Sequence, residues 1–211
     1  MRGLTQRLED ARSYRGAWLR PSNFESFWET SVTFAQNANV ESVVELPSAT
    51  QAATFKRITF TSTDQMQLRA RVILPAGVSV AEPLAPAGLP ASAELPAVVL
   101  FSDFGRGVRS WLHLLRFSAL GMPVVALEAR PCEASLKDAW RGALTAEELA
   151  HALINPDDAA SSTLKQLIDD ALVTTAVASR FLGRTTVTWG EGLGGSQALF
   201  TAALLPKAAI A

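Results

Sequence analysis

Three short strand-like runs, the apolar "AVVLF" at 97–101 and "PVVAL" at 123–127 and the Thr-rich "TTVTW" at 185–189, mark the second half of the chain. Strands wetted on one face alternate apolar and polar residues. Strands covered by helices on both faces, as in parallel sheets, read as nearly unbroken apolar runs. The segments between the runs have helical spacing. Trp111, Leu112, Leu115 and Ala119 define one helix, ended by Gly121 as a C-cap. A long helix is predicted from about Thr163 to Leu182, with Leu164, Leu167, Ile168, Leu172 and Phe181 on one face and Gly183 behind it. "LGGSQALFTAALL" after the third run reads as a helix ended by Pro206. Strand and helix alternating three times imply a parallel sheet with right-handed crossovers, so the fold class is α/β.

The first half is organised differently. A helix is expected from about Leu4 to Arg12. A second opens in "RPSNFESFWETSVTFAQNA", where Ser22 and Glu25 form a Ser-x-x-Glu capping box ahead of Phe24, Phe27, Trp28 and Val32. "ATFKRITFTSTDQMQLRARVILP" alternates on both sides of Ser62-Thr63-Asp64-Gln65 and reads as a β-hairpin, although its turn lacks Asn-Gly or Asp-Gly. Residues 76–96, rich in Pro and Ala, are expected to be a surface loop, and residues 1–40 a helical extension. Thr145 and Glu148 form another capping box, before a short helix ending near Pro156. The 211 residues are expected to form one domain.

Composition narrows the function. A net charge of −1 provides no field for nucleic acid or an anionic membrane surface. No apolar run reaches the roughly 18–20 residues of a membrane span, and the opening "MRGLTQRLEDARSYRG" is too charged for a secretory signal. Cys132 is the one cysteine, which fits a reducing compartment, and a cytoplasmic location is expected. One Cys and two His give no basis for a zinc site. No metal and no cofactor are expected.

"TWGEGLGGSQALF", at 188–200, has the form of the strand–turn–helix that presents the nucleophile of many hydrolases as Gly-x-Ser-x-Gly. Here the frame is Gly190-Glu191-Gly192-Leu193-Gly194, with Gly192 in the nucleophile position. Such turns hold that residue in a conformation glycine adopts most easily.

Several stretches together resemble the acetyl xylan esterase and cephalosporin C deacetylase family of α/β-hydrolases. "SYRG" followed by "RPSNFESFWE" is similar to that family's Tyr-Arg-Gly and Pro-x-x-Phe-x-x-Phe-Trp segment. "FSDFGRG" falls where the family has Phe-His-Gly-Tyr-Gly-Gly, and "ALEARP" where it has Asp-x-Arg-Gly. "INPDD" resembles its Leu-Asp-Pro-Glu segment before the long helix. The resemblance implies an α/β-hydrolase-type, mostly parallel sheet entered by an antiparallel hairpin. It also implies a Ser-His-Asp triad for small acyl esters, within a ring-like oligomer. Against that pattern the chain departs at the nucleophile, Gly192. The family's Asp and His follow on later strands, whereas this sequence ends at "PKAAIA", which looks like the start of the next strand, so the last strands of the sheet are expected to be lacking. Neither His113 nor His151 falls at a triad position.

The resemblance places two backbone oxyanion donors at Phe104 and Leu193, which side-chain changes leave in place. Arg106 and Arg109 are candidates to attract a carboxylate, against a plainer reading as solvated loop arginines. An alternative register makes Ser196 of "GGSQA" the nucleophile, but it needs four extra residues after the strand and has no identified base. Glu191 occupies a spacer position. Asp157-Asp158 and Asp169-Asp170 read as solvated or helix-start charges, Trp28 and Trp111 as core or interface residues, and Cys132 as a packed thiol.

Three readings follow. In the first, the chain is a degenerate family member without hydrolysis, acting by binding or assembly. In the second, it is an active ester hydrolase using Ser196 or a site shared between subunits. In the third, it is a gene fragment. A homo-oligomer through an exposed sheet edge is expected, with a small acyl ester or carboxylate as the candidate ligand.

Overall fold

The computed structural model describes residues 3–14, 16, 19–47, 50–80, 95–103, 107–108, 110–128, 130, 153–155, 157–205 and 209–210. In chain order these contain α1 (Leu4–Ser13), α2 (Phe24–Asn37), β1 (Ser42–Leu46), β2 (Ala53–Thr61), β3 (Gln67–Pro75) and β4 (Ala97–Phe101). They continue with α3 (Trp111–Ser118), β5 (Val124–Leu127), α4 (Thr163–Leu182), β6 (Thr186–Gly190), α5 (Leu193–Leu204) and β7 (Ala209–Ile210). The helix expected after Thr145 and Glu148, the loop over 81–94, Cys132 and His151 lie outside the described residues.

The strands form one sheet in the order β1-β2-β3-β5-β4-β6-β7. β1, β2 and β3 run antiparallel, and β3 pairs antiparallel with β5. From β5 onward, β4, β6 and β7 are parallel. This is the hairpin-entered, mostly parallel arrangement the resemblance implies. Within "KAAIA", Ala209 and Ile210 do supply a strand, β7, beside β6. β4, first of the parallel set, is flanked by β5 on one side and β6 on the other. The chain therefore leaves β4 in one direction and returns past it in the other. At such a reversal the loops beyond the strands' C-terminal ends diverge and leave a crevice.

Alternation along the central strands loads both faces of the sheet. Val125 and Leu127 of β5 join Val99 and Phe101 of β4 in the larger core, beneath α2, α4 and α5, while Val124, Ala126 and Leu100 pack with Leu114 of α3 on the other face. Trp28 anchors α2 in the larger core, its ring 5.0 Å from Phe27 and 5.9 Å from Phe200 of α5. On the other face Trp111 stacks on Phe55 at 5.0 Å.

Local signals explain the element ends. α4 begins where the Ser162 hydroxyl accepts the Lys165 N–H at 3.2 Å and ends where Gly183 turns to φ +61°. The β2–β3 turn manages without glycine because Gln65 takes φ +65° and the Asp64 carboxylate accepts the Met66 N–H at 3.2 Å. Two sequence expectations are corrected here. Asn23, not Ser22, precedes α2, and Glu25 pairs with Arg20 at 2.7 Å instead of closing a capping box. Asp169 and Asp170 are buried, at 4% and 0% exposure, rather than solvated. α4 is covered by α2, by α5 and by the sheet, which leaves its middle, Leu167–Thr175, buried on every side. Asp158 does take a helix-start role, accepting the Ala160 N–H at 3.0 Å.

Candidate functional site

Phe101 and Gly190, the last residues of β4 and β6, are paired across the sheet, so the two loops that follow leave it side by side. The β6–α5 turn is made by glycines whose missing side chains matter individually. Gly192 precedes α5 at φ +58°, ψ −125°, a region L-residues avoid. A Cβ on Gly194 would stand 2.4 Å from the Phe101 carbonyl oxygen, so α5 can start this close to β4 only without one. Gly192 is thus the pivot residue between strand and helix. Ser196 lies four residues on, half-buried within α5.

The space above Gly192 is filled. A Cβ built there would meet the Asp103 carboxylate, with Oδ1 at 2.0 Å and Cγ at 2.4 Å. The same Oδ1 accepts the Leu193 N–H at 3.0 Å. The side chain of Asp103, carried on the loop after β4, therefore stands where the side chain of residue 192 would be. It also engages the backbone donor that the resemblance places in an oxyanion hole. Leu193 is the first residue of α5, whose unpaired N–H groups and dipole favour an anion.

Asp103 lines two cavities. The larger, about 130 Å³, opens between β4, α3 and the β6–α5 turn and is lined by Leu100, Asp103, His113, Arg116, Trp189 and Glu191 among others. Arg116 lies over the Trp189 ring, 4.6 Å from its centroid, and His113 and Glu191 are exposed at the rim. The smaller, about 20 Å³, has room for about one water and runs from Ser102 and Asp103 to Arg130, Asp170 and Gln197.

Beneath the smaller cavity lies a buried ionic cluster. Arg130 is 5% exposed and Asp170 fully buried. The Arg130 Nε donates to Asp170 Oδ2, and its Nη2 donates to both oxygens of Asp64 at 2.9 Å. The Ser62 hydroxyl donates to the other oxygen of Asp170. Asp169 faces elsewhere, taking Lys165 Nζ at 2.7 Å and the Thr63 hydroxyl at 2.9 Å. One arginine thus ties the segment after β5 to the β2–β3 turn and to α4. Burial pushes the Asp170 carboxyl up to about 6, held below what burial alone would give by the hydrogen bond and charge of Arg130 and by Ser62. Arg130 is raised: burial lowers it, and the hydrogen bonds and charges of Asp170 and Asp64 outweigh that.

Phe104, Arg106 and Arg109 lie outside the described residues. Leu193 and Gly192 meet at the turn as the sequence suggests. Asp103 is the residue the sequence reading missed. It lies in the quoted "FSDFGRG", at the place where the resemblance has glycine, just as Gly192 stands where it has serine. The two exchanges are complementary, and only the fold brings them together. Among the described residues no three His, Cys, Asp or Glu form a group that could hold a metal ion, and no helix is long and apolar enough to cross a membrane.

A family profile described as acetyl xylan esterase (AXE1) matches residues 1–211. This chain belongs to the acetyl xylan esterase family. Among solved structures it is similar to acetyl xylan esterase 1 from Thermoanaerobacterium sp. JW/SL YS485, at a TM-score of 0.69 and 19% identity. It is also similar to the acetyl xylan esterase from Paenibacillus sp. R4, at 0.68 and 18%. The alignments cover 96% and 98% of this chain but 61% and 62% of those proteins. No curated protein sequence matches it. At such identities the structural likeness speaks for the fold.

Proposed function

We propose that this acetyl xylan esterase family member does not hydrolyse esters at its β6–α5 turn and acts by binding or assembly. One observation carries the reading: the Asp103 carboxylate occupies the side-chain space of residue 192 and engages the Leu193 N–H. A serine elbow works by placing a neutral hydroxyl there, next to empty donors that receive the developing oxyanion. A fixed carboxylate fills that space, and its charge repels the oxyanion that would have to form beside it. Ser196 does not substitute, since it projects from within α5 rather than from the pivot. The expected result is hydrolysis of 4-nitrophenyl acetate no faster than buffer for the wild type and for Ser196→Ala. Turnover by the wild type that Ser196→Ala abolishes would replace this reading with that of an active hydrolase.

The assembly part of the reading rests on the sheet, which among the described residues ends on β1 and β7. Val43 and Val44 are 46% and 52% exposed on β1, and open strand edges of this kind pair with other chains. Light scattering on the purified 22.5 kDa chain is expected to give a multiple of that mass, and a clean monomer would remove assembly from the reading.

A further inference from the structure

We propose that Asp103 is an internal ligand: the β6–α5 turn is a carboxylate-binding site kept occupied by the chain's own side chain, and a ligand carboxylate binds only by displacing it. The proposal deepens the reading above and rests on it, because a turn bearing a serine at 192 would have no space for this carboxylate.

The elements of an anion site are present together. A turn residue without a side chain leaves a hollow. A helix-start N–H, that of Leu193, points into it, and an anion sits in the hollow with its Oδ1 3.0 Å from that donor. The anion is covalently part of the chain, 90 residues away in sequence, so its effective concentration far exceeds that of a free competitor. The cavity of about 130 Å³ that opens beside Asp103 has room for the remainder of a small carboxylic acid and is walled by Leu100, Leu114 and Trp189. Its described cation, Arg116, is stacked on Trp189. Affinity for an external carboxylate is then scaled down by the small fraction of molecules in which Asp103 has swung away.

Acetate is the probe, titrated against the full chain with chloride at equal ionic strength as control. The wild type, Asp103→Ala and Asp103→Asn are compared, following the Leu193 amide by heteronuclear NMR and the melting temperature. In Asp103→Ala the Leu193 amide is expected to shift saturably and the melting temperature to rise with acetate. The wild type and Asp103→Asn, whose side chains fill the hollow, are expected to bind at least about tenfold more weakly. Equal responses in all three, or a Leu193 amide in Asp103→Ala that ignores acetate, would overturn the proposal. Should Asp103→Ala be unfolded in chloride, recovery of its native circular dichroism on adding acetate supports the proposal, and no recovery overturns it. No turnover is read, so this test and the ester assay fail separately.

Discussion

Replacing Asp170 by alanine is expected to lower the unfolding free energy by about 3–5 kcal/mol, the usual cost of removing one partner from a buried ion pair. The loss is not the worth of the pair. It is the penalty of leaving the Arg130 guanidinium, 5% exposed, with Asp64 as its remaining carboxylate and the Ser62 hydroxyl without its acceptor. Removing both charges, in Arg130→Met with Asp170→Leu, is therefore expected to cost much less than the sum of the single changes. Urea unfolding with unchanged slope checks both statements, and additive losses would mean that the two side chains do not act as a pair.

The same carboxyl makes a signed prediction about pH. Its native pKa, about 6, lies above the ordinary aspartate value of 3.8, so the folded chain holds this proton more tightly than the unfolded chain does. The stabilisation from that proton is complete below about pH 4 and is lost as pH rises through 6. The stability of the wild type relative to Asp170→Asn is thus expected to fall between pH 4 and 6. A flat difference across that window would show that Asp170 keeps an ordinary pKa.

The second large effect is expected at the turn. Gly192→Ser places a side chain on a residue at φ +58°, costing about 1–3 kcal/mol in backbone strain. It also evicts the Asp103 carboxylate, forfeiting a charge-assisted hydrogen bond to Leu193 worth about 1.5–3 kcal/mol. In an Asp103→Gly background only the first cost remains. The two substitutions should therefore couple, with the double variant more stable than the sum of the singles by about 1.5–3 kcal/mol. Additivity within about 0.5 kcal/mol would mean that Asp103 and residue 192 do not compete for the same space. The coupling also bears on function: a serine returned at 192 without the change at 103 meets the carboxylate, not an open donor.

Much of the architecture was legible in the sequence because its causes are local. The bounds of α4 follow from Ser162 and Gly183, the identity of β4 and β5 from unbroken apolar runs, and the β6–α5 turn from the spacing of Gly190, Gly192 and Gly194. These signals act within a few residues of one another, through capping hydrogen bonds, side-chain period and permitted dihedrals. β1 was not read from the sequence, since its residues are largely exposed and it exists by pairing with β2.

The sequence by itself determined the α/β class, the order of the elements apart from β1, and a glycine without a side chain at 192. Only the tertiary structure decided what stands in the side chain's place. Asp103 and Gly192 lie on separate loops, and Arg130 and Asp170 are 40 residues apart. Each pair is created when neighbouring parallel strands end at the same level and helix α4 closes over them. Read along the chain, an aspartate in a loop and two in a helix carry no sign of burial. Once packing excludes water, each carboxylate must take whichever donor lies within reach, and here those donors are the Leu193 N–H, the Arg130 guanidinium and the Lys165 ammonium.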